Sequence, residues 1–121
     1  MKPIQTQFEI GNAHDISPDQ KIRCWVFDPP YNMGFKYGDM VNDNLDWDEY
    51  AEWIKGCAEA MDRHSLPSAS MWLIIWPDTA HKLIPIIEQT GWKMHQWLSW
   101  IYATNKTTLK GVNLFPRNHR A

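Results

Sequence analysis

Four adjacent residues, Asp28-Pro29-Pro30-Tyr31, combine side chains that could bind a flat polar molecule. The carboxylate of Asp28 can only accept hydrogen bonds when ionised. The prolines fix their own φ and carry no N–H that would compete for an acceptor. Tyr31 adds an aromatic face for stacking. Taken alone, the four residues fit a polar turn with Tyr31 in the core equally well.

The element before these residues should place them at the edge of a sheet. Ile22 to Phe27 is a short, mostly apolar run of strand formers, typical of a parallel strand covered on both faces. Two prolines cannot continue a central strand, so the strand should end at Asp28. Open α/β folds bind their ligands at the carboxyl ends of such strands, and we therefore expect Asp28 at a site.

The rest of the chain predicts alternating strands and helices. Asp46 and Glu49 form a capping-box-like start for a helix, and apolar residues then recur at helical spacing while Glu52 and Glu59 take the wet face. Pro85 conflicts with a straight second helix and predicts a kink or a late start. The predicted elements are strand 8–10, helix 46–61, strand 70–76, helix 80–89 and strand 93–103. We expect an α/β fold: an incomplete Rossmann-like sheet of three to four strands with helices on both faces.

The run Asp28-Pro29-Pro30-Tyr31-Asn32 after an apolar strand resembles motif IV of the N6-adenine and N4-cytosine DNA methyltransferases. Nearly the whole chain shares in the resemblance, through segments 10–16, 34–39, 47–53, 71–76 and 91–92. Asn118-His119 falls where many members carry a His-Glu pair, but Arg120 replaces the acid. The four-residue core is moderately specific, and the flanking pattern makes the resemblance strong.

The resemblance implies how these residues would act on a base. The exocyclic amine of adenine or cytosine is a poor nucleophile, and two acceptors aimed at its N–H groups would hold it in line with a methyl donor. Asp28 would supply one acceptor and the Pro29 carbonyl the other, while Tyr31 would stack on a base rotated out of the duplex. The implied catalytic residues are Asp28, Pro29, Pro30 and Tyr31, and the implied substrate-binding residues are Asn32, Gly34, Phe35 and Tyr37. The loop that bears the second set fits a lid over the base and a plain surface connection equally well.

The family also binds S-adenosylmethionine through a glycine-rich turn, with Asp28 a candidate contact to this cofactor. All six glycines of the chain are isolated and no G-x-G occurs. Only 27 residues precede Asp28, too few for that turn and its strands. The resemblance therefore implies the permuted, β-type order. We expect residues 1–121 to be one domain, the catalytic half, truncated before the cofactor-binding and target-recognition regions or paired with a complementary chain, and inactive alone.

Charge and composition limit the partners. The net charge of −2 does not give the positively charged surface that a free-standing DNA-binding protein normally has. Most of the affinity for double-stranded DNA should therefore come from an absent segment or from a partner. A homodimer stays open. No signal peptide or membrane span is visible, so we expect a cytoplasmic protein, bacterial or phage-encoded. Cys24 and Cys57 should be reduced buried thiols, and the histidines (His14, His64, His81, His95 and His119) form no metal-ligand pattern.

The sequence bears on three questions about function: the target base, the class of DNA methyltransferase, and the alternatives to a DNA methyltransferase. Asp28, rather than the Ser that many cytosine enzymes carry, favours N6-adenine over N4-cytosine within the family. The absence of a plausible cysteine nucleophile argues against the carbon-5 cytosine enzymes. An RNA or protein-glutamine methyltransferase is an alternative, as is a remnant domain that only binds a partner.

Overall fold

A computed structural model describes residues 6–39, 41–101 and 119–120 of the chain. The strands are β1 (Ile22–Phe27), β2 (Ser65–Leu73), β3 (Trp100–Ile101) and β4 (His119–Arg120), and the helices are α1 (Trp47–Arg63) and α2 (Pro77–Ile87). Short 3₁₀ turns cover Ala13–Asp15 and Glu88–Thr90. The predicted α/β class is confirmed.

The central feature is a parallel pair of strands joined by a helix. In the β1–β2 register Trp25 lies opposite Met71 and Phe27 opposite Leu73. The Ile74 N–H then donates to the Phe27 carbonyl at 2.9 Å, just beyond the last pair. Since both strands run in the same direction, their carboxyl ends share one edge, and Asp28 follows β1 at that edge as predicted.

Helix α1 begins where its sequence predicts. The Asp46 carboxylate accepts the Glu49 backbone N–H at 3.0 Å, which is an N-cap bond to the third helical residue. The helix runs two residues past the predicted end at Met61. Its buried side carries Tyr50, Ile54, Cys57 and Met61 at helical spacing. This side forms the centre of the core.

Both helices pack into one core together with one face of the β1–β2 sheet. Phe27 of β1 and Leu83 of α2 are 6% and 0% exposed and belong to the same cluster as the buried side of α1. On the opposite face Val26 is 72% exposed and Trp72 is 54% exposed. Within the described residues, the expected helix cover is therefore present on one face of the sheet only.

The bounds of two elements differ from those predicted. Strand β2 starts at Ser65, directly after α1, rather than at Ser70, and it stops at Leu73 rather than at Trp76. Helix α2 starts at Pro77, three residues before the predicted start, and continues through Pro85. The late start was wrong because proline suits the first turn of a helix, where its missing N–H has no partner to lose.

Two predicted strands are wrong. Residues 8–10 form no strand, and Phe8 and Ile10 are 87% and 91% exposed. Of the predicted strand 93–103, only Trp100–Ile101 is extended, and it pairs antiparallel with His119–Arg120 in a separate sheet. Residues 102 and 103 lie outside the described residues. Alternating apolar side chains do not make a strand unless a neighbouring segment pairs with its backbone groups, and no described segment pairs with residues 8–10 or 93–99.

Candidate functional site

The end of β1 opens into a cavity of about 400 Å³. Six residues line it: Asp28, Pro29, Pro30, Tyr31, Phe35 and Tyr37. Every one of these belongs to the set of eight residues predicted from the sequence. The other two of that set, Asn32 and Gly34, are not among the lining residues. The turn after β1 and the loop that follows therefore share one concave site.

Asp28 carries the charged group of this cavity. Its side chain is exposed, and its Oδ1 accepts the Tyr31 hydroxyl at 2.7 Å. Tyr31 is 8% exposed, so most of its ring is covered by neighbouring groups. The contact fixes the rotamer of the carboxylate, because a hydrogen bond to a buried partner restricts the side-chain torsions of Asp28.

The two proline carbonyls have different environments. The Pro30 carbonyl accepts the Tyr50 hydroxyl at 2.8 Å, from a side chain of α1 that is 2% exposed. Among the described residues, no hydrogen bond engages the Pro29 carbonyl. Burial, followed by the negative charge of Asp43, raises the pKa of Tyr50 above its usual value, so this hydroxyl stays protonated as a donor. The Tyr50 hydroxyl of α1 thus engages the Pro30 carbonyl, whereas the carbonyl of Pro29, a buried residue, has no hydrogen bond among the described residues.

Aromatic rings support the turn from below. The Tyr50 ring stacks on Trp53 with centroids 6.4 Å apart and planes at 26°, and Trp53 in turn contacts Phe27 at 6.4 Å. The ring centroids of Trp47 and Tyr50 are 6.2 Å apart, and the Lys82 ammonium lies over the Trp47 ring, 5.1 Å from its centroid. These contacts fix the orientation of Tyr50 and with it the position of the Pro30 carbonyl.

Asn32 and Gly34 make contacts within the chain. Asn32 has a positive φ of 57°, and its side-chain amide donates to the Leu45 carbonyl at 2.8 Å and accepts the Leu45 N–H at 2.7 Å. Gly34 has a φ of 77°, and its N–H donates to the backbone carbonyl of Asp43. Their assignment to substrate binding stays a prediction, and the observed contacts assign them to the loop's own conformation.

Phe35 and Tyr37 stand at the open side of the cavity. They are 59% and 52% exposed, and their ring centroids lie 6.4 Å apart at 53°. An isolated antiparallel bridge pairs Lys36 with Asn42 across this loop. Exposed aromatic rings beside a carboxylate provide stacking surface for a flat ligand.

Sequence reasoning missed two residues that hold the site together. Tyr50 was assigned only to the apolar stripe of α1, although its hydroxyl reaches the turn. Asp43 was not singled out, yet it is 3% exposed and its carboxylate accepts backbone N–H groups from Asn32, Met33 and Phe35. The signal that could have found Asp43 is an acidic residue following a loop with two glycines, Gly34 and Gly38, where unpaired N–H groups require an acceptor.

The described glycines differ in how much space surrounds them. A side chain at Gly11, Gly34 or Gly38 would meet nothing within 4 Å, and one at Gly91 would meet the Asp62 carboxylate at 3.0 Å. In the described part of the chain, no group of three or more potential ligands could hold a metal ion, and no helix is long and apolar enough to cross a membrane.

Known proteins are similar to this chain over most of its length. Residues 22–118 match the DNA methylase family of N6/N4 methyltransferases. The chain is also 30% identical, over 96 residues, to the Type II methyltransferase M.HpaI of Haemophilus parainfluenzae, a match that covers 78% of this chain and 30% of that relative. The chain thus spans under a third of the length of the relative. No solved structure matches.

Proposed function

The chain belongs to the DNA methylase family of N6/N4 methyltransferases, and from this membership we propose that its cavity receives the exocyclic amine of a DNA base. The reaction is transfer of a methyl group from S-adenosylmethionine to that amine, with N6 of adenine favoured over N4 of cytosine. The substrate is double-stranded DNA whose target base is rotated out of the duplex. The protein acts in the cytoplasm of a bacterial or phage-infected cell.

The arrangement of acceptors at the end of β1 carries this proposal. Asp28 and Pro29 are adjacent residues that line the same cavity, and the acceptors they would offer are a carboxylate and a backbone carbonyl. A primary amine presents two N–H groups, so two acceptors hold both and leave the lone pair of nitrogen directed at the methyl donor. The Pro30 carbonyl is already engaged by Tyr50, and Pro29 is therefore the free carbonyl of the turn.

The aromatic lining would stabilise a base that has been rotated out of the duplex. The amine inside a helix is unreachable, and unstacking a base costs a few kcal/mol. Stacking on an aromatic side chain returns about 1–3 kcal/mol per base. Phe35 and Tyr37, which are 59% and 52% exposed, supply the accessible rings for this purpose, whereas the Tyr31 ring is largely covered.

Donor binding and the main contacts with DNA belong to a complementary half, in the same longer polypeptide or in a second chain. The absence of G-x-G from the sequence and the environments of the described glycines support this assignment. The net charge of −2 supports it as well, because phosphate neutralisation supplies most of the affinity for DNA. We therefore expect no methyl transfer by residues 1–121 alone.

A nucleoside titration tests the base site directly. Backbone amide NMR of the chain should show millimolar adenosine and cytidine shifting the resonances of residues 28–37, whereas thymidine, which has no exocyclic amine, should not. Asp28→Asn keeps the size of the side chain but removes its charge and one acceptor, and should weaken adenosine binding about tenfold. Asp19→Asn, an exposed residue in a distant loop, is the matched control. Equal binding of thymidine would contradict the amine assignment.

A chimaera tests the reaction. The aligned segment of the Haemophilus parainfluenzae relative would be replaced by that of this chain, and label from S-adenosylmethionine would be followed into duplex DNA. We expect N6-methyladenine in the digested product, and no label when the chimaera carries Asp28→Ala. Retained turnover in that variant would contradict the role of Asp28. Label transfer by residues 1–121 alone would contradict the need for a complementary half.

A further inference from the structure

One buried acidic residue organises the chain directly after the Asp28 motif. The Asp43 Oδ1 accepts the Asn32 N–H at 2.8 Å, and its Oδ2 accepts the Met33 and Phe35 N–H groups at 3.1 and 2.8 Å. The backbone carbonyl of Asp43 accepts the Gly34 N–H at 2.6 Å. Four consecutive N–H groups therefore donate to a single residue.

These contacts require a carboxylate. Three N–H groups share its two oxygens, and an ionised carboxylate only accepts. An asparagine in the same place would turn its NH₂ group towards at least one of the three donors. Asp43 is 3% exposed, and no cationic side chain in the described part of the chain forms an ion pair with it. Its charge is compensated by a concave row of backbone N–H groups, shaped by the positive φ angles of Asn32 and Gly34.

The segment held in this way leads into the cavity at both ends. Asn32 follows Tyr31 directly, and Phe35 lines the cavity with Tyr31 and Asp28. The Asn32 side chain also forms hydrogen bonds with both backbone groups of Leu45. The start of the loop is therefore joined to its end at Leu45 as well as at Asp43. The direction in which the Phe35 ring leaves the backbone therefore depends on Asp43.

We infer that Asp43 is a positioning residue of the base site, whose buried carboxylate fixes segment 32–35 and thereby orients Phe35 against the entering base. Its effect on base binding rests on the proposed function, whereas its effect on the loop does not. Asp43 does not line the cavity and does not touch the base. It acts through the backbone of the residues that do.

Hydrogen exchange tests the effect on the loop without any ligand. In the folded chain, Asp43→Asn should speed exchange of the Asn32, Met33 and Phe35 amides by about tenfold or more. Amides of α1, such as that of Ile54, should keep their protection and so report that the core is folded. Asp19→Asn should change none of these rates. Unchanged exchange at residues 32–35 in folded Asp43→Asn would overturn the inference.

Adenosine binding tests the consequence for the site. Asp43→Asn should weaken the NMR-detected affinity about 2- to 10-fold, the cost of ordering one mobile side chain on binding. A milder variant, Asn32→Ala, removes the Leu45 contacts, keeps the carboxylate, and should weaken binding less. If the wild-type chain binds adenosine and folded Asp43→Asn binds it equally well, the inference fails while the proposed function stands. If the wild-type chain does not bind adenosine, the proposed function fails, and the exchange rates still decide the role of Asp43 in the loop.

Discussion

Removal of one hydroxyl, in Tyr50→Phe, tests how helix α1 holds the acceptor turn. The substitution keeps the ring that stacks on Trp53 and removes only the donor 2.8 Å from the Pro30 carbonyl. A buried acceptor that loses its partner costs about 1–3 kcal/mol. Pro30 itself is only half-buried, so water can reach part of that carbonyl, and we expect about 1–2 kcal/mol of lost stability. This corresponds to about 5- to 30-fold in the ratio of folded to unfolded chain.

Urea unfolding followed by circular dichroism measures this loss, with Tyr37→Phe as the matched control. Tyr37 is 52% exposed, and removal of its hydroxyl should change stability by no more than about 0.5 kcal/mol. Because burial raises the pKa of Tyr50 above 10.0, its contribution is fully present below pH 10 and is lost as the pH rises through the folded-state value. A Tyr50→Phe chain as stable as the wild type at pH 7 would refute the argument that this bond fixes the turn.

Two further predictions concern the core beneath the site. Burial, with a smaller contribution from Asp15, raises the pKa of Cys57 from 9.0 to about 12. At pH 8 a disulfide reagent should therefore modify the exposed Cys24 and should react with Cys57 only after denaturant is added. Rapid labelling of both thiols in the native chain would show that α1 does not cover Cys57. Asp46→Ala removes the N-cap bond to Glu49 and should lower the urea midpoint by the equivalent of about 0.5–2 kcal/mol, whereas Asp46→Asn should retain most of the stability.

The observed contact between Tyr31 and Asp28 alters the interpretation of the motif. The sequence presents Tyr31 as a free stacking face, but its ring is largely covered and its hydroxyl donates to the carboxylate. One oxygen of Asp28 is thus already engaged by Tyr31, and under the proposed function the second oxygen and the Pro29 carbonyl would accept from the amine. The more exposed rings of Phe35 and Tyr37 then supply the open stacking surface.

Local patterns decided much of this fold. The apolar run before two prolines gave β1 its bounds, and the capping pair with helical spacing gave α1 its start and its buried side. These features follow from residues adjacent in sequence, because the two prolines after Phe27 remove two consecutive backbone N–H groups and Asp46 caps the first turn of α1. Six of the eight residues assigned to the site from the sequence line one cavity, and four of those six are consecutive, so their proximity follows from the chain itself.

Features that depend on distant residues were decided by tertiary structure. Alternation in residues 93–103 and at residues 8–10 predicted strands, but a strand needs a neighbour for its backbone groups, and only Trp100–Ile101 has one in the described chain. The roles of Asp43 and Tyr50 were equally hidden, because each acts on backbone groups 8 to 20 positions away. The sequence alone determined that a carboxylate, two proline carbonyls and an aromatic residue follow β1. Only the folded chain decided which of these oxygens accept hydrogen bonds, because that depends on where donors such as the Tyr50 hydroxyl lie relative to the turn.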